Sequence, residues 1–244
     1  MLRSVRSLRG FGIGARDGVV GKAHCLLFDD GSWAVRYLVV DTGGWLPGRK
    51  VLIAATALER PDWHARIFPV GLTRRQIENS PDIDTDKPVS RQREIELHDY
   101  YNWVPYWGTA YGAGAVAAVP LPKPPGEVKQ AAEGDSHLRS TREVAGYRIH
   151  ATDGAIGHVE DFIVSEEDWV IRYLVVDTRN WLPGRSVLIS PEWVREIGWE
   201  EQQVWVDVSR QAIEDSPPYD ASAPVNREYE VQMYDYYGRP KYWA

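Results

Sequence analysis

Cysteine is almost absent from this chain of 244 residues, which contains only Cys25. A single thiol excludes an intramolecular disulfide and any zinc site built from several cysteines. The N-terminal segment MLRSVRSLRG has arginines without the apolar stretch of a secretory signal. An uncharged run over residues 102–122 is rich in glycine, alanine and proline, so its transfer into lipid would gain little. We therefore expect a cytoplasmic protein without a membrane span.

Positive charge is also in short supply, since 28 Lys and Arg stand against 35 Asp and Glu, for a net charge of −7. The balance differs between the halves: residues 2–107 hold 15 basic and 13 acidic side chains, and residues 138–243 hold 11 and 19. An acidic chain is a poor general nucleic-acid binder, because neutralising phosphates requires a basic surface. The asymmetry is compatible with halves that dock on each other or that face different partners.

The chain contains an internal repeat with a constant offset of 136 residues and no gap. Comparing residues 2–107 with residues 138–243 gives 43 identities in 106 aligned positions. The two copies agree from LRSVR and LRSTR at one end to Tyr-Trp at the other. This pattern indicates a duplicated domain, and a pseudo-symmetric pairing of the two copies is expected.

Alternating apolar residues and β-branched or aromatic runs predict several short strands in each repeat, separated by turn signals. Thr73 and Ser209 are expected to cap a short helix that a Ser-Pro pair ends. Many short strands in a small domain favour a closed β-barrel, because closure removes exposed strand edges. Strands are expected at 19–28, 33–40, 51–53 and 67–72, and again at 155–164, 169–176, 187–189 and 204–208.

One stretch of each repeat reads RYLVVDTGGWLPGRKVLI from Arg36 to Ile53 and RYLVVDTRNWLPGRSVLI from Arg172 to Ile189. This stretch resembles the PRC-barrel family. The family is named for the photosynthetic reaction centre H subunit and includes a ribosome maturation factor, and this chain is most similar to its bacterial stand-alone members. The resemblance implies an all-β (mainly) fold of two small PRC-type β-barrels in tandem with short helical turns. It also implies an assembly module without family-wide catalytic residues.

The expected organisation is therefore a PRC-barrel repeat at 1–107, a Gly/Ala/Pro-rich linker at 108–137 and a second repeat at 138–244. Both repeats are expected to end in an aromatic tail. A linker of this composition is flexible where small residues dominate and extended where prolines cluster.

The Trp-Leu-Pro-Gly turn of each repeat has two interpretations. In the structural one, an aspartate and an arginine at matched spacing join the strand ends across the turn. In the functional one, an exposed tryptophan and arginine form an anchor, because these residue types concentrate interface energy; two anchors would make a bivalent binder. The candidate interaction residues are Trp45, Arg49, Trp181 and Arg185, and the structural turn residues are Asp41, Pro47, Gly48, Asp177, Pro183 and Gly184.

The aromatic tails are the second group of candidates. Tyrosine and tryptophan combine an apolar ring with a polar group, so they suit packing within a repeat, between the repeats or against a partner. The candidate interaction residues of the tails are Tyr106, Trp107, Tyr242 and Trp243.

The remaining motifs predict neither cofactor nor metal. The six histidines fall at unmatched positions of the repeats and lack a metal-ligand spacing, and Gly12 and Gly14 lack the rest of a dinucleotide loop. The leading hypothesis is a non-enzymatic interaction module whose protein partner is unknown, with repeat–repeat packing or a homodimer. The alternatives are a ribosome- or RNA-associated factor, a peripheral subunit of a membrane electron-transfer complex, and a small-ligand binder at the cleft between the barrels.

Overall fold

The computed structural model describes residues 1–43, 49–81, 89, 91–107, 137–178 and 185–243. Within them the protein is mainly β, as the sequence predicts, and all eight expected strands are present. The first repeat contains β1 (Leu2–Ser4), α1 (Val5–Leu8), β2 (Gly12–Ala15), β3 (Gly18–Asp29), β4 (Val35–Asp41), β5 (Lys50–Ala54), β6 (Ile67–Pro69), α2 (Arg74–Glu78) and α3 (Arg91–Tyr101).

The second repeat has the same order of elements. It contains β7 (Leu138–Ser140), α4 (Thr141–Val144), β8 (Arg148–Ala151), β9 (Gly154–Ser165), β10 (Ile171–Asp177), β11 (Ser186–Ile189), β12 (Val194–Gly198), β13 (Gln203–Val206), α5 (Arg210–Asp215) and α6 (Arg227–Tyr237). The segment that corresponds to β12 in the first repeat makes only two isolated bridges, at Leu58 and Asp62. Pro61 stands there in place of Ile197, and proline cannot donate to a strand ladder.

The strands form two sheets, with the order β5-β4-β3-β2-β6 in one and β11-β10-β9-β8-β13-β12 in the other. Neighbouring strands are antiparallel except for the parallel pairs β2–β6 and β8–β13. Among the described residues, the ladders arrange the strands as two sheets, and no ladder closes either sheet into a barrel. Gly21 lies inside β3 with φ +65°, where a Cβ atom would meet the Asp41 carbonyl oxygen at 2.5 Å, so the close approach of β3 to β4 requires glycine there.

The repeats exchange their first strands. β1 pairs with β9 of the second repeat, from Leu2 opposite Ser165 to Ser4 opposite Ile163. β7 pairs with β3 of the first repeat in the identical register. Each sheet is therefore completed by a strand from the other repeat, a reciprocal arrangement that the sequence analysis does not predict.

The pseudo-twofold axis passes between two equivalent turns. The backbone N–H of Val35 donates to the Trp169 carbonyl oxygen at 2.7 Å, and that of Ile171 donates to the Trp33 carbonyl oxygen at 2.9 Å. Trp33 and Trp169 have φ values of 58° and 54°, a left-handed conformation that is rare for bulky residues. This conformation accompanies a pair of hydrogen bonds that join the repeats.

The apolar core is shared as well. One buried cluster includes residues of both repeats, with Phe28 and Phe162 in contact at a ring-centroid distance of 5.9 Å. A second cluster lies under the first repeat and consists of its own side chains, except that Leu138 of β7 is part of it. The pseudo-symmetric repeat packing expected from the sequence is thus present, and each N-terminal strand contributes an apolar side chain to the other repeat.

Polar side chains define the ends of the short helices. Thr73 Oγ1 accepts from the Gln76 N–H, and the Thr73 N–H donates to the Gln76 side-chain oxygen, forming a capping box at α2. Ser209 accepts from the Ala212 N–H at the start of α5. These are the two caps that the sequence predicts. The longer helices α3 and α6 were not predicted, because their inward positions include Glu94, His98 and Glu230 in place of aliphatic residues.

No helix of the described ranges is long and apolar enough to cross a membrane. The predicted linker, apart from His137, lies outside the described residues.

Candidate functional site

Arg49 and Arg185 immediately precede β5 and β11, and each reaches the end of a short helix. Arg49 Nη1 donates to the Glu78 carbonyl oxygen at 2.8 Å, and its Nη2 donates to the Ser80 carbonyl. Arg185 Nη2 makes the matching contact with the carbonyl of Ser216. A guanidinium is well suited to this position, because carbonyl groups at a helix C-terminus lack intrahelical donors.

A threonine joins the end of β4 to the start of β5, and another joins the end of β10 to the start of β11. Thr42 Oγ1 donates to the Arg49 carbonyl oxygen at 2.8 Å, and Thr178 Oγ1 donates to that of Arg185 at 2.9 Å. Asp41 accepts from the Gly43 N–H at 2.8 Å, whereas the buried carboxylate of Asp177 lies 3.8 Å from His158 Nε2. The predicted turn and anchor residues Trp45, Pro47, Gly48, Trp181, Pro183 and Gly184 lie outside the described residues.

An exposed tyrosine binds the same short helix whose end each arginine contacts. The hydroxyl of Tyr100 on α3 donates to the Gln76 carbonyl oxygen at 2.9 Å, and that of Tyr236 on α6 donates to the Ala212 carbonyl oxygen at 3.0 Å. Both side chains are 41% exposed. Partial desolvation raises the pKa of both phenols, and Arg49 or Arg185 opposes this rise from close by.

We name these two surfaces the tyrosine–arginine patches, consisting of Arg49 with Tyr100 and of Arg185 with Tyr236. They occupy equivalent places on the two repeats, but their surroundings differ in charge. The charge of Arg75 lowers the pKa of Tyr100, whereas the charge of Asp215 raises the pKa of Tyr236. Sequence reasoning singled out the arginines but missed the tyrosines, although the Tyr-Tyr pair recurs at the same offset of 136 residues.

The aromatic tails fold back onto their own repeats. Tyr106 donates to Glu94 Oε1 at 2.7 Å, and Tyr242 donates to Glu230 Oε1 at 2.9 Å. The rings of Trp107 and Trp243 pack on His98 and Tyr234, at centroid distances of 4.7 and 5.1 Å. All four predicted tail residues are half-buried in contacts within their repeat.

Beneath the tails lies a buried carboxylate in each repeat. Glu94 and Glu230 are 1% and 2% exposed. Tyr37 donates to Glu94 at 3.0 Å, and Tyr173 donates to Glu230 at 2.7 Å, so each carboxylate accepts from two tyrosines. Burial, together with the bond to the Glu230 carboxylate, raises the pKa of Tyr173 far above its usual value. The arrangement satisfies a buried charge with donors, which stabilises the fold and orients the tail.

The two copies of this cluster differ at one position. His98 in the first repeat lies with its Nε2 atom 2.9 Å from the Tyr37 hydroxyl. Tyr234 occupies the same place in the second repeat, and its hydroxyl donates to Ser190 Oγ at 3.4 Å. The matched glutamates and tyrosines could have been found from the repeat alignment, because a Glu on an aromatic helix face is conspicuous when it occurs twice.

A polar groove of about 810 Å³ follows the junction of the repeats. Asp30 and Trp33 approach it from the first repeat, and Arg172, Glu192 and Trp199 from the second. Arg139 lies over the Trp199 ring at 4.2 Å and pairs with Asp30 at 3.2 Å, so ionic and aromatic contacts fix the groove's edge. Residues of both repeats line this groove.

Within the described ranges, no group of three or more His, Cys, Asp or Glu side chains is arranged to hold a metal ion. Cys25 is buried, and its burial raises the pKa of the thiol, which disfavours the reactive thiolate.

The chain was compared with protein-family models and with curated proteins, and neither comparison finds a match.

Proposed function

We propose that this chain is a cytoplasmic tandem PRC-barrel protein that acts as a non-enzymatic interaction module and binds protein partners at its two tyrosine–arginine patches. The observation that carries the proposal is the duplication of an exposed tyrosine beside an arginine at equivalent places on two firmly joined repeats. Tyrosine and arginine are enriched among the residues that dominate binding energies at protein interfaces.

The shared core supports a scaffold role. Exchanged strands and a common apolar cluster hold the repeats in one arrangement. The distance between the patches is therefore set by the fold rather than by the linker. A partner with two matching sites, or two copies of one partner, would gain from this fixed spacing because the second contact becomes intramolecular.

The PRC-type part of the proposal is supported by the placement of the family-like sequence. Arg36 to Asp41 and Arg172 to Asp177 form all but the first residue of β4 and β10, which occupy the same position in the two sheets. The two arginines that close the motif bind the ends of the short helices. The motif thus coincides with the structural feature that creates each patch.

The charges around the patches suggest different partner preferences. The first patch has Arg75 beside it and belongs to a mildly basic repeat, so an acidic partner surface fits it. The second patch has Asp215 and belongs to a strongly acidic repeat, so a basic surface fits better there.

The test is affinity purification of the tagged full chain from its own host, with quantitative mass spectrometry of the bound proteins. Tyr100→Ala and Tyr236→Ala are made singly and together. We expect each single variant to reduce capture of a stoichiometric partner and the double variant to abolish it. Val19→Ser, at a side chain that is 57% exposed outside the patches, is the matched control and should leave capture unchanged.

Three outcomes would overturn the proposal. Partners that are retained by the double variant do not bind at the patches. A partner set that nuclease removes points to the RNA-associated alternative, and flotation of the protein with membranes points to the membrane-complex alternative. Melting temperatures of all variants are measured alongside, so that loss of capture by unfolding is distinguished from loss of the contact.

A further inference from the structure

A second groove, of about 660 Å³, lies at the start of β3 and is rich in positive charge. Arg9, Lys22 and His24 line it from the first repeat, and Arg142 reaches it from the second. The charge of Lys50 on the adjacent strand also lowers the pKa of His24. The carboxylate of Asp41 also lines the groove and accepts from the Gly43 N–H.

His24 is turned into this groove by a β-bulge. Ala23 pairs with Val40 and Cys25 pairs with Val39, so His24 is the extra residue of β3. Bulges redirect a side chain and are common beside binding sites. The bulge therefore gives His24 a position on the groove wall that regular strand geometry would not provide.

The contact between His24 and Arg142 fixes the state of the imidazole. Arg142 Nη1 lies 2.9 Å from His24 Nε2, and a guanidinium can only donate, so Nε2 accepts and the ring is neutral. Burial lowers the pKa of His24, as do the charges of Lys50, Arg142 and Arg9, while Asp41 raises it. The guanidinium of Arg142 is thus held by a neutral partner and keeps its full charge at the groove.

At the equivalent position of the second repeat, a carboxylate neutralises the arginine that corresponds to Arg142. Glu160 is the bulge residue of β9, in the position of His24. Its Oε1 atom pairs with Arg6 at 3.0 Å, and its Oε2 atom accepts from Ser186 Oγ at 3.0 Å. Arg6 and Ser186 correspond to Arg142 and Lys50 in the 136-residue repeat, and Arg9 corresponds to Ala145.

The first repeat therefore replaces an internal carboxylate by a neutral histidine and adds cations around it. Among the described residues, the side chains of Arg9 and Lys22 form no ion pair. The three lining cations, Arg9, Lys22 and Arg142, and the one carboxylate, Asp41, leave a net charge of +2, which matches a ligand with two negative charges. Arginine is also suited to phosphate, because its planar donors meet two oxygens at once.

We propose that this groove is a binding site for a small phosphorylated molecule, in which the phosphate dianion takes the place that the Glu160 carboxylate occupies in the second repeat. The groove volume lies within the range of ordinary small-ligand pockets. The site is separate from the tyrosine–arginine patches, and it stands whether or not those patches bind proteins.

The test uses the full chain in isothermal titration calorimetry at low ionic strength, with inorganic phosphate, glycerol 3-phosphate and sulfate as probes. Sulfate is included because it remains a dianion across the pH range in which phosphate titrates. We expect saturable binding of one anion per chain. Tighter binding of the ester than of phosphate identifies an organic ligand, and equal binding identifies the phosphate group as the whole determinant; both results support the site.

His24→Glu supplies the groove with the carboxylate of the second repeat. We expect it to pair with Arg142, preserve the fold and weaken anion binding by at least about tenfold. Arg148→Gln is the matched control, since it also changes the net charge by −1 but at an exposed side chain on β8. It should leave the affinity nearly unchanged.

Histidine NMR provides an independent readout. Binding of a dianion beside His24 should raise the pKa of this imidazole and shift its ring signals, while His64, which lies outside the groove, stays unchanged. If His24→Glu fails to fold, Lys22→Gln at an exposed side chain replaces it, with the same expected loss. Absence of saturable binding, or equal loss in Arg148→Gln and the groove variants, would overturn the proposal.

Discussion

The exchanged strands lead to a prediction about what holds the two repeats together. A protease site is introduced into the linker between residues 108 and 136, and the purified chain is cleaved there. We expect the two fragments to remain associated, because each completes the sheet of the other. The association should persist at 1 M NaCl, since apolar contacts and strand ladders are not screened as exposed charges are.

The contribution of one exchanged strand to fragment association can be estimated from Leu138. This residue is 5% exposed and packs into a cluster whose other members belong to the first repeat, so a leucine-to-alanine change leaves a cavity there. Such substitutions cost about 2 to 5 kcal/mol. On the cleaved protein this corresponds to a dissociation constant that rises by about 30-fold to 5,000-fold.

The assay is size-exclusion chromatography with light scattering over a dilution series, with urea denaturation of the uncleaved chain in parallel. Val19→Ala, at an exposed apolar side chain, is the control and should change stability by less than about 0.5 kcal/mol. The reasoning is refuted if the cleaved fragments separate at low salt, or if Leu138→Ala leaves both fragment association and unfolding unchanged.

Three further predictions concern stability. Tyr173→Phe removes a donor from the buried Glu230 carboxylate and should lower the free energy of unfolding by about 1.5 to 3 kcal/mol in urea, whereas Tyr236→Phe, at an exposed hydroxyl, should cost less than about 1 kcal/mol. Gly21→Ala should cost more than Gly43→Ala, because both glycines have positive φ but only at Gly21 would the Cβ atom meet backbone, and thermal unfolding ranks the two variants. The folded-state pKa of His24 lies below its reference value of 6.5, so between the two values the unfolded chain binds more protons than the folded chain. The free energy of unfolding should therefore fall as the pH drops from 7 through the folded-state pKa. Urea titrations at several pH values should show a smaller pH dependence for His24→Gln.

Much of the secondary structure could be predicted from patterns of residues that are close together in the sequence. Apolar alternation located the long strands β3 and β9, and side-chain chemistry located the helix caps at Thr73 and Ser209. Both depend on residues close together in the chain. The helices α3 and α6 were not predicted, because their buried faces include the charged residues Glu94 and Glu230. Tyrosines from a distant strand donate hydrogen bonds to these carboxylates, and this makes their burial possible.

The exchange of β1 and β7 was also beyond sequence reasoning, for a physical reason. The segment LRS opens both repeats, and β3 and β9 occupy equivalent places in the two sheets, so the sequence does not indicate which of the two strands each segment pairs with. Contacts such as Arg6 with Glu160, which accompany the exchange, become visible only in the fold. The candidate site was half predictable: the repeat alignment identified Arg49 and Arg185, but only the fold places Tyr100 and Tyr236 beside them.

The reciprocal exchange also explains how one chain can have different chemistry at its two equivalent bulges. In a homodimer of a single repeat, every groove would occur twice with the same residues, so a change at the bulge would alter both copies. With both repeats in one chain, the two bulges can differ. Glu160 binds Arg6 across the repeat boundary and holds β1 in place, while His24 leaves Arg142 fully charged.

This division assigns different roles to equivalent positions. The Glu160–Arg6 pair is a contact between repeats, so we expect Glu160→His to weaken fragment association in the cleaved protein. His24→Glu creates the same pair at the other boundary and should strengthen association while removing the anion site. The two changes should therefore shift fragment association in opposite directions, and His24→Glu should in addition remove anion binding. If both changes shift association the same way, the two bulges are not equivalent in the way that the repeat alignment and the strand exchange require.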